Sequence, residues 1–189
     1  MTIVYETNKM TALLNTDAII TEVVNLATSA TGSVDSGLSS LLSDTYRDMF
    51  DIWTVTARDD ASSDKLVGMF GFGDINQYHV FNRDSYTWSN TMRDAIIAKG
   101  IDEAKVDFGS SVYVHADYTG QNIAKTMMVK RVAYQISRGM THSIAVNKIS
   151  STAKSWNGNR ATANSAENIG ADSDDNAIYL FTLSNDVWS

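Results

Sequence analysis

The stretch that decides the fold runs from Val112 to Lys125 and reads VYVHADYTGQNIAK. Its first three residues are β-branched or aromatic and predict the end of a strand. From Gln121 to Ser137, apolar residues recur at helical spacing, and Gly139 follows as a stop signal. A short loop that leads into a helix leaves backbone N–H groups unpaired at the positive end of the helix dipole. Such a junction is suited to binding phosphate.

The distribution of charge points to the same junction. The chain has 15 basic and 22 acidic residues and a net charge of -7, which argues against non-specific binding of nucleic acid. Between Tyr118 and Ala166, however, there is no Asp or Glu. An anionic ligand or partner would explain this basic segment, and so would a solvated helix and loop balanced by acidic neighbours. The basic segment carries Lys125, Lys130, Arg131, Arg138, Lys148, Lys154 and Arg160.

Length and composition exclude several classes of protein. A chain of 189 residues predicts one domain, spanning residues 1–189. No apolar run approaches the roughly 18 residues of a membrane span, and the N-terminus lacks a signal-peptide pattern, so we expect a soluble, non-secreted protein. The chain has no cysteine, which excludes disulfides and thiol nucleophiles. The histidines at 79, 115 and 142 show no metal-ligand spacing, and no metal is expected.

Helices alternate with strands through the second half of the chain, which predicts an α/β protein with a mixed sheet covered by helices. The predicted strands are Thr2–Tyr5, Ile52–Ala57, Lys65–Phe72, Val106–His115, His142–Ile149 and Ala177–Leu183. The first predicted helix begins at Thr16 and ends before a loop at Ser29–Ser40. The other predicted helices are Leu41–Phe50, Trp88–Lys99, Gln121–Ser137 and Asn159–Asn168.

A glycine pattern that begins in the predicted strand Lys65–Phe72 has two interpretations. Residues 68–73 read GMFGFG, the reverse of the spacing in dinucleotide-binding loops. The pattern fits a phosphate-binding loop, but a strand whose glycines allow another part of the chain to approach closely fits it better. We therefore predict the second half of a hairpin here.

The junction resembles the motif of the GCN5-related N-acetyltransferase (GNAT) family. Members typically read Asp-Tyr-Arg-Gly-x-Gly-Ile-Gly/Ala-Lys between a strand and a long amphipathic helix, and residues 117–125 read DYTGQNIAK. The order of elements is similar as well. The resemblance implies a GNAT-like α/β fold, with a mixed, mostly antiparallel sheet flanked by helices in one domain, and a helical insertion at about residues 76–104.

The same resemblance implies acetyl-coenzyme A as the cofactor. Backbone amides from roughly Gln121 to Lys125 would hold its pyrophosphate, and the strand end near Val112 to Val114 would pair with its pantetheine arm. The cofactor-binding residues implied in this way are Val112, Val114, Thr119, Gly120, Gln121, Asn122, Ile123, Ala124, Lys125 and Asn159.

Three positions depart from the family's pattern. Thr119 stands where Arg or Gln is usual, and Asn122 stands where the family has Gly. The late helix of the family reads Asn-x-x-Ala-x-x-x-Tyr-x-Lys-x-Gly-Phe, and its Tyr protonates the departing thiolate. Asn159 and Gly170 match that frame, but Ala166 occupies the Tyr position.

Two classes of function follow from the resemblance. One is a weak or divergent acetyl-coenzyme A-dependent N-acetyltransferase that acts on an amine. The other is a non-catalytic structural or interaction protein of the same fold with protein partners in an assembly, for example a phage virion component, and the three departures weigh toward it. The expected location is the cytoplasm, or the virion if the protein is viral.

The sequence identifies no catalytic residue. Asp74, His115 and Asp117 lie at predicted strand ends and are candidates for the general base, although structural or solvated roles are more typical of such residues. Trp156, in a polar and basic loop, is a candidate contact residue for a partner or substrate, unless it folds back onto the core.

Overall fold

The computed structural model describes residues 2–34, 38–39, 42, 52–75, 88–147, 159–171 and 175–186. Backbone packing divides the chain into two compact units. The first consists of Met1–Phe72 and Ser110–Tyr134, and the second of Gly73–Gly109 and Gln135–Ser189. The junction between Val112 and Lys125 therefore lies in the first unit.

The described residues form a mixed, mostly antiparallel sheet that helices flank, as expected for an α/β fold. Its strands are β1 (Ile3–Lys9), β2 (Ile52–Asp59), β3 (Lys65–Asp74), β4 (Val106–Val114), β5 (His142–Asn147), β6 (Glu167–Ala171) and β7 (Ala177–Thr182). They lie in the order β1-β2-β3-β4-β5-β7-β6. The pairs β1/β2, β5/β7 and β6/β7 are antiparallel. The pair β4/β5 is parallel and joins Val106–Phe108 of β4 to His142–Ile144 of β5.

Four helices have both ends given within the described residues, and residues 159–163 are also helical. The four are α1 (Met10–Leu13), α2 (Asp17–Thr31), α3 (Trp88–Ala98) and α4 (Ile123–Ser137). No helix among the described residues is both long enough and apolar enough to cross a membrane.

Helix α2 confirms the predicted start and corrects the predicted end. The Thr16 hydroxyl accepts a hydrogen bond from the Ile19 amide (3.3 Å) and caps the first turn. The helix continues to Thr31, past the predicted loop start at Ser29, and ends where Gly32 adopts a φ of +84°. Before α2, β1 extends beyond Tyr5 to Lys9, and the short helix α1 was not predicted.

In the first unit, β3 and α4 pack closely. Residues 66–73 of β3 are all buried, as in a strand covered on both faces. Gly68 is in this strand, so the glycine pattern belongs to a strand and the phosphate-loop interpretation is wrong. A β-carbon at Gly68 would lie 2.9 Å from Cγ2 of Ile123 and 3.1 Å from Cε of Met127, both on α4.

Helix α4 begins two residues later than predicted. Asn122 has a φ of +59°, a left-handed conformation that a right-handed helix cannot contain, so Gln121 and Asn122 belong to the preceding loop. Met128 and Val132 of the predicted apolar row are buried, whereas Ile136 is 42% exposed. A row of every fourth residue drifts by about 40° per step, because a helix turns once in 3.6 residues.

In the second unit, the predicted helix Asn159–Asn168 is wrong in its C-terminal half. Residues 159–163 are helical, but Ser165 has a φ of +50°, and Glu167–Ala171 forms strand β6 against β7. Ile169 packs against a buried apolar cluster of this unit. That packing and the pairing with β7 outweigh the helix propensity of the segment.

The remaining elements follow the prediction within a few residues. β2, β3, β5 and β7 overlap the predicted strands, and α3 ends before Gly100, which has a φ of +69°. The predicted helix Leu41–Phe50 lies almost wholly outside the described residues. So do the segment Asn76–Ser85, most of the acidic turn Asp172–Asn176, and the loop that contains Trp156.

Candidate functional site

The site is the loop that joins β4 to α4, all of it within the first unit. The His115 amide donates a hydrogen bond to the Val67 carbonyl (2.9 Å), which holds the end of β4 against β3. A 3₁₀ turn follows at Ala116–Tyr118. The chain then enters α4 through two left-handed residues, Gly120 (φ +79°) and Asn122 (φ +59°). Glycine and asparagine adopt this conformation at low cost, which explains why the motif tolerates asparagine at 122.

The loop and the first turn of α4 present a run of free backbone donors. The first amide of this region with an acceptor is that of Thr126, which donates to the Asn122 carbonyl (2.9 Å). Among the described residues, no backbone carbonyl accepts a hydrogen bond from the amides of Gly120 to Lys125. Donors at a helix N-terminus, where the dipole is positive, favour an anion.

Four of the six residues in this run are exposed to solvent. Gly120, Gln121, Asn122 and Lys125 are exposed, and a β-carbon at Gly120 would meet no atom within 4 Å. Ile123, by contrast, is 2% exposed and anchors the helix on the sheet.

The side chains of Thr119 and Thr126 serve the backbone of this region. The Thr119 hydroxyl donates to the Ala116 carbonyl (2.9 Å), and the Thr126 hydroxyl donates to the Asn122 carbonyl (3.1 Å). Both hydroxyls therefore support the loop rather than project from it.

The loop is also held by residues that are distant in the sequence. The Ala116 amide donates to Oγ of Ser29 on α2 (3.2 Å), and the Tyr118 hydroxyl donates to Oδ2 of Asp59 at the end of β2 (2.9 Å). Neither contact could be predicted from the sequence, because each joins residues far apart in the chain. Correlated variation of Asp59 and Tyr118 among related sequences is the signal that could reveal the contact between these two residues.

Asp59 is an ionised hydrogen-bond acceptor. The residue is 3% exposed, and its carboxylate also accepts from the Ser62 hydroxyl (2.8 Å) and the Ala61 amide (3.1 Å). The bond from Ser62 contributes most to holding the pKa of Asp59 below its ordinary value of 3.8, with smaller contributions from Tyr118 and Ala61, while burial acts in the opposite direction.

The three candidates for the general base are engaged with neighbours. Nδ1 of His115 accepts from the Asp117 amide (3.3 Å) and lies 3.6 Å from the Asp117 carboxylate. In the second unit, Asp74 lies 3.3 Å from the guanidinium of Arg138. Each of the three residues thus has at least one polar contact among the described residues.

The second unit contains the remaining residues of the motif. Asn159 is exposed at the start of the helical segment 159–163. Ala166, at the position of the family's Tyr, packs against a buried cluster that includes Ala161 and Phe181. Between them, Arg160 is fully buried, forms an ion pair with Asp186 and stacks on the Phe181 ring at 3.8 Å from its centroid.

The structure also divides the basic segment into exposed and engaged cations. Lys125 and Lys130 are exposed. Arg131 is buried beside Phe70, while Arg138 and Arg160 pair with carboxylates. The described part of the segment therefore projects less positive charge than its composition indicated. Across all the residues that the structure describes, there is no cluster of three or more His, Asp or Glu side chains that could hold a metal ion.

Comparison with known proteins identifies the fold. No family model and no curated protein matches the sequence. Among solved structures, PaiA N-acetyltransferase from Thermoplasma acidophilum, in complex with coenzyme A, gives a TM-score of 0.58 at 12% identity, with 96% of this chain and 99% of that chain covered. The GNAT-family N-acetyltransferase YhbS from Escherichia coli, also in complex with coenzyme A, gives a TM-score of 0.59 at 12% identity, with 99% of this chain and 84% of that chain covered. The ribosomal-protein-S18-alanine N-acetyltransferase from Escherichia coli gives a TM-score of 0.55 at 7% identity, with 95% of this chain and 94% of that chain covered. At this level of identity, the likeness is one of fold.

Proposed function

We propose that this chain, which has the fold of the GNAT N-acetyltransferases, binds acetyl-coenzyme A at the junction of β4 and α4. The observation that carries the proposal is the run of amides from Gly120 to Lys125, which have no backbone acceptor among the described residues. Two structures with the same fold contain coenzyme A. A pyrophosphate has the charge and the acceptor oxygens that such a run of donors requires.

The other residues of the site have supporting roles in this proposal. Val112 and Val114, near the end of β4, would pair with the pantetheine arm, and Lys125 would add a positive charge beside the phosphates. Bound acetyl-coenzyme A supplies an activated acetyl thioester, and the substrate in this proposal is an amine.

Two motif departures weaken the expected affinity. Thr119 supplies no charged partner for a phosphate, and its hydroxyl is committed to the Ala116 carbonyl. The loss of one charge-assisted contact costs about 1.5–3 kcal/mol, which corresponds to roughly ten- to a hundredfold in affinity. Asn122 keeps the left-handed backbone of the motif but adds a side chain beside the free amides. We therefore propose a divergent enzyme with weak cofactor binding.

A second candidate is a non-catalytic protein of the same fold. The observation that favours it is the position of Ala166, which packs on the Ala161 and Phe181 cluster and offers no proton for a departing thiolate. Removal of a general acid typically costs about 10²–10⁴-fold in rate. In this case the protein would serve as a binding or assembly component, with other proteins as its partners.

The cofactor proposal is tested by thermal denaturation with and without acetyl-coenzyme A. A ligand at about 100 times its Kd stabilises the folded state by about 2.7 kcal/mol, so the midpoint should rise. Asn122→Asp places a carboxylate among the free amides and should abolish the rise. Asn15→Asp makes the same chemical change at an exposed residue before α2 and should leave the rise intact.

The outcome of this experiment separates the candidates. No rise in wild-type midpoint at millimolar acetyl-coenzyme A would reject the cofactor site. A rise that Asn122→Asp abolishes supports the site. Release of free coenzyme A in the presence of amines then supports the enzyme, whereas binding without release supports the second candidate.

A further inference from the structure

Three hydrogen bonds from three different elements hold the loop that precedes α4. Val67 on β3 accepts from the His115 amide, Ser29 on α2 accepts from the Ala116 amide, and Asp59 at the end of β2 accepts from the Tyr118 hydroxyl. The first two fix the backbone at the start of the loop. The third fixes a side chain two residues before Gly120, where the run of free amides begins.

The ring of Tyr118 is held on more than one side. The Lys65 ammonium lies 5.8 Å from its centroid, and the His115 ring meets it edge-on at 5.8 Å. The hydroxyl at the end of the ring reaches Asp59, so the ring spans from the loop to the turn that follows β2. A side chain restrained in this way transmits its position to the backbone that carries it.

Asp59 is built to receive this hydroxyl. Its two carboxylate oxygens accept from the Ala61 amide, the Ser62 hydroxyl and Tyr118, and it is 3% exposed. The contacts from Ala61 and Ser62 close a local 3₁₀ turn at Asp60–Ser62. The hydrogen bond from Tyr118 joins Asp59 to the loop, across a separation of 59 residues in the chain.

We propose that Asp59 is a positioning residue for the anion-binding amides, acting through the hydroxyl of Tyr118. The inference rests on the proposed function, since the ligand that reports the position is coenzyme A. Donors stabilise an anion only when they are fixed in the binding geometry before it arrives. Loss of the Asp59–Tyr118 bond frees the loop, and each binding event must then order it again.

The test compares variants that break different bonds of the same carboxylate. Tyr118→Phe removes the hydroxyl and keeps the ring, and Ser62→Ala removes the local contact and keeps Tyr118. The affinity for coenzyme A is measured by titration calorimetry well below the unfolding midpoint, and the free energy of unfolding by denaturant titration. A purely structural role changes the free energy of unfolding and leaves the affinity unchanged.

We expect Tyr118→Phe to weaken the affinity for coenzyme A by about 10- to 100-fold, as for the loss of a hydrogen bond to a charged group. Ser62→Ala should change it by less than about twofold while it lowers stability. Asp59→Asn removes the charge of the acceptor and should weaken binding in the same direction as Tyr118→Phe. The double variant should bind no more weakly than Tyr118→Phe alone, because both changes act on one interaction. If Tyr118→Phe fails to fold, Asp59→Asn carries the test.

The failure of this inference differs from the failure of the proposed function. If wild-type protein binds coenzyme A and the Tyr118→Phe and Asp59→Asn variants bind it equally well, the positioning role is wrong and the cofactor site stands. Equal weakening by Ser62→Ala would also overturn it, since the effect would then follow stability alone. If wild-type protein does not bind coenzyme A, both proposals are wrong.

Discussion

Gly68 on β3 faces Ile123 at the start of α4 so closely that a β-carbon at residue 68 would lie 2.9 Å from Cγ2 of Ile123. The space around it is closed further by Cε of Met127 (3.1 Å) and Cβ of Ala57 (3.2 Å). The glycine thus sets how near the first turn of α4 approaches the sheet. The free amides belong to that same turn, so the packing of Gly68 and the proposed site are connected.

Gly68→Ala should destabilise the protein and weaken coenzyme A binding. The added methyl forces α4 away from β3, and overpacking of this kind typically costs about 1–3 kcal/mol. Denaturant titration measures the stability, and calorimetry at a temperature where the variant is folded measures the affinity.

The matched change for this prediction is Ile123→Leu, which removes the Cγ2 methyl that faces Gly68. In the double variant, the cost of the added alanine methyl should be smaller than in the wild-type background. A Gly68→Ala protein with wild-type stability would contradict the close packing of β3 and α4.

Substitutions at Asn122 should separate backbone conformation from side-chain chemistry. Its φ is +59°, so Asn122→Ala should cost about 1–2 kcal/mol of stability. Asn122→Gly should retain wild-type stability, because glycine adopts this φ without steric cost, and it should tighten coenzyme A binding by removing a side chain beside the amides. Equal stabilities of the two variants, measured by denaturant titration, would contradict the left-handed conformation.

The buried ion pair of the second unit should be far more sensitive than an exposed one. The side chains of Arg160 and Asp186 are both fully buried, so Asp186→Ala removes a carboxylate partner from a buried guanidinium and should cost about 3–5 kcal/mol. Glu167→Ala, which breaks the exposed pair with Lys99, should cost no more than about 1 kcal/mol. Comparable losses in thermal or denaturant unfolding would show that Arg160 is not buried as described.

Burial at His142 should make stability depend on pH. Burial lowers the pKa of His142 in the folded protein below its ordinary value of 6.5. At pH values between the folded-state pKa and 6.5, the unfolded chain therefore binds more protons than the folded protein does. The stabilising contribution is complete above pH 6.5 and is lost as the pH falls through that window. The free energy of unfolding should therefore fall from about pH 7 to about pH 5, and fall less in His142→Gln. Identical pH profiles for the two proteins would contradict this prediction.

The sequence was sufficient to predict the elements whose signals are local. The cap at Thr16, the stop at Gly100 and the apolar spacing of α4 each depend on residues within a turn or two of one another. The same holds for the junction from Val112 to Lys125, where the motif residues are contiguous. Such features follow from neighbours along the chain, and the structure bears them out.

What the sequence did not predict depends on contacts between distant residues. Strand β6 forms because β7 pairs with it, although residues 159–168 have the composition of a helix. The segment that contains Arg138 and Arg160 has no acidic residue of its own. In the fold, however, Asp74 pairs with Arg138 and Asp186 pairs with Arg160. The bond between Asp59 and Tyr118 belongs to the same class, since nothing local in either segment indicates the other.

The central claim is that the amides from Gly120 to Lys125 bind the phosphates of acetyl-coenzyme A. Backbone amide resonances of ¹⁵N-labelled protein, followed during titration with coenzyme A, test this claim residue by residue. We expect saturable shifts at Gly120, Ile123 and Lys125, and their loss in Asn122→Asp but not in Asn15→Asp. Amide resonances at Gly120–Lys125 that stay unchanged at millimolar coenzyme A would contradict the account.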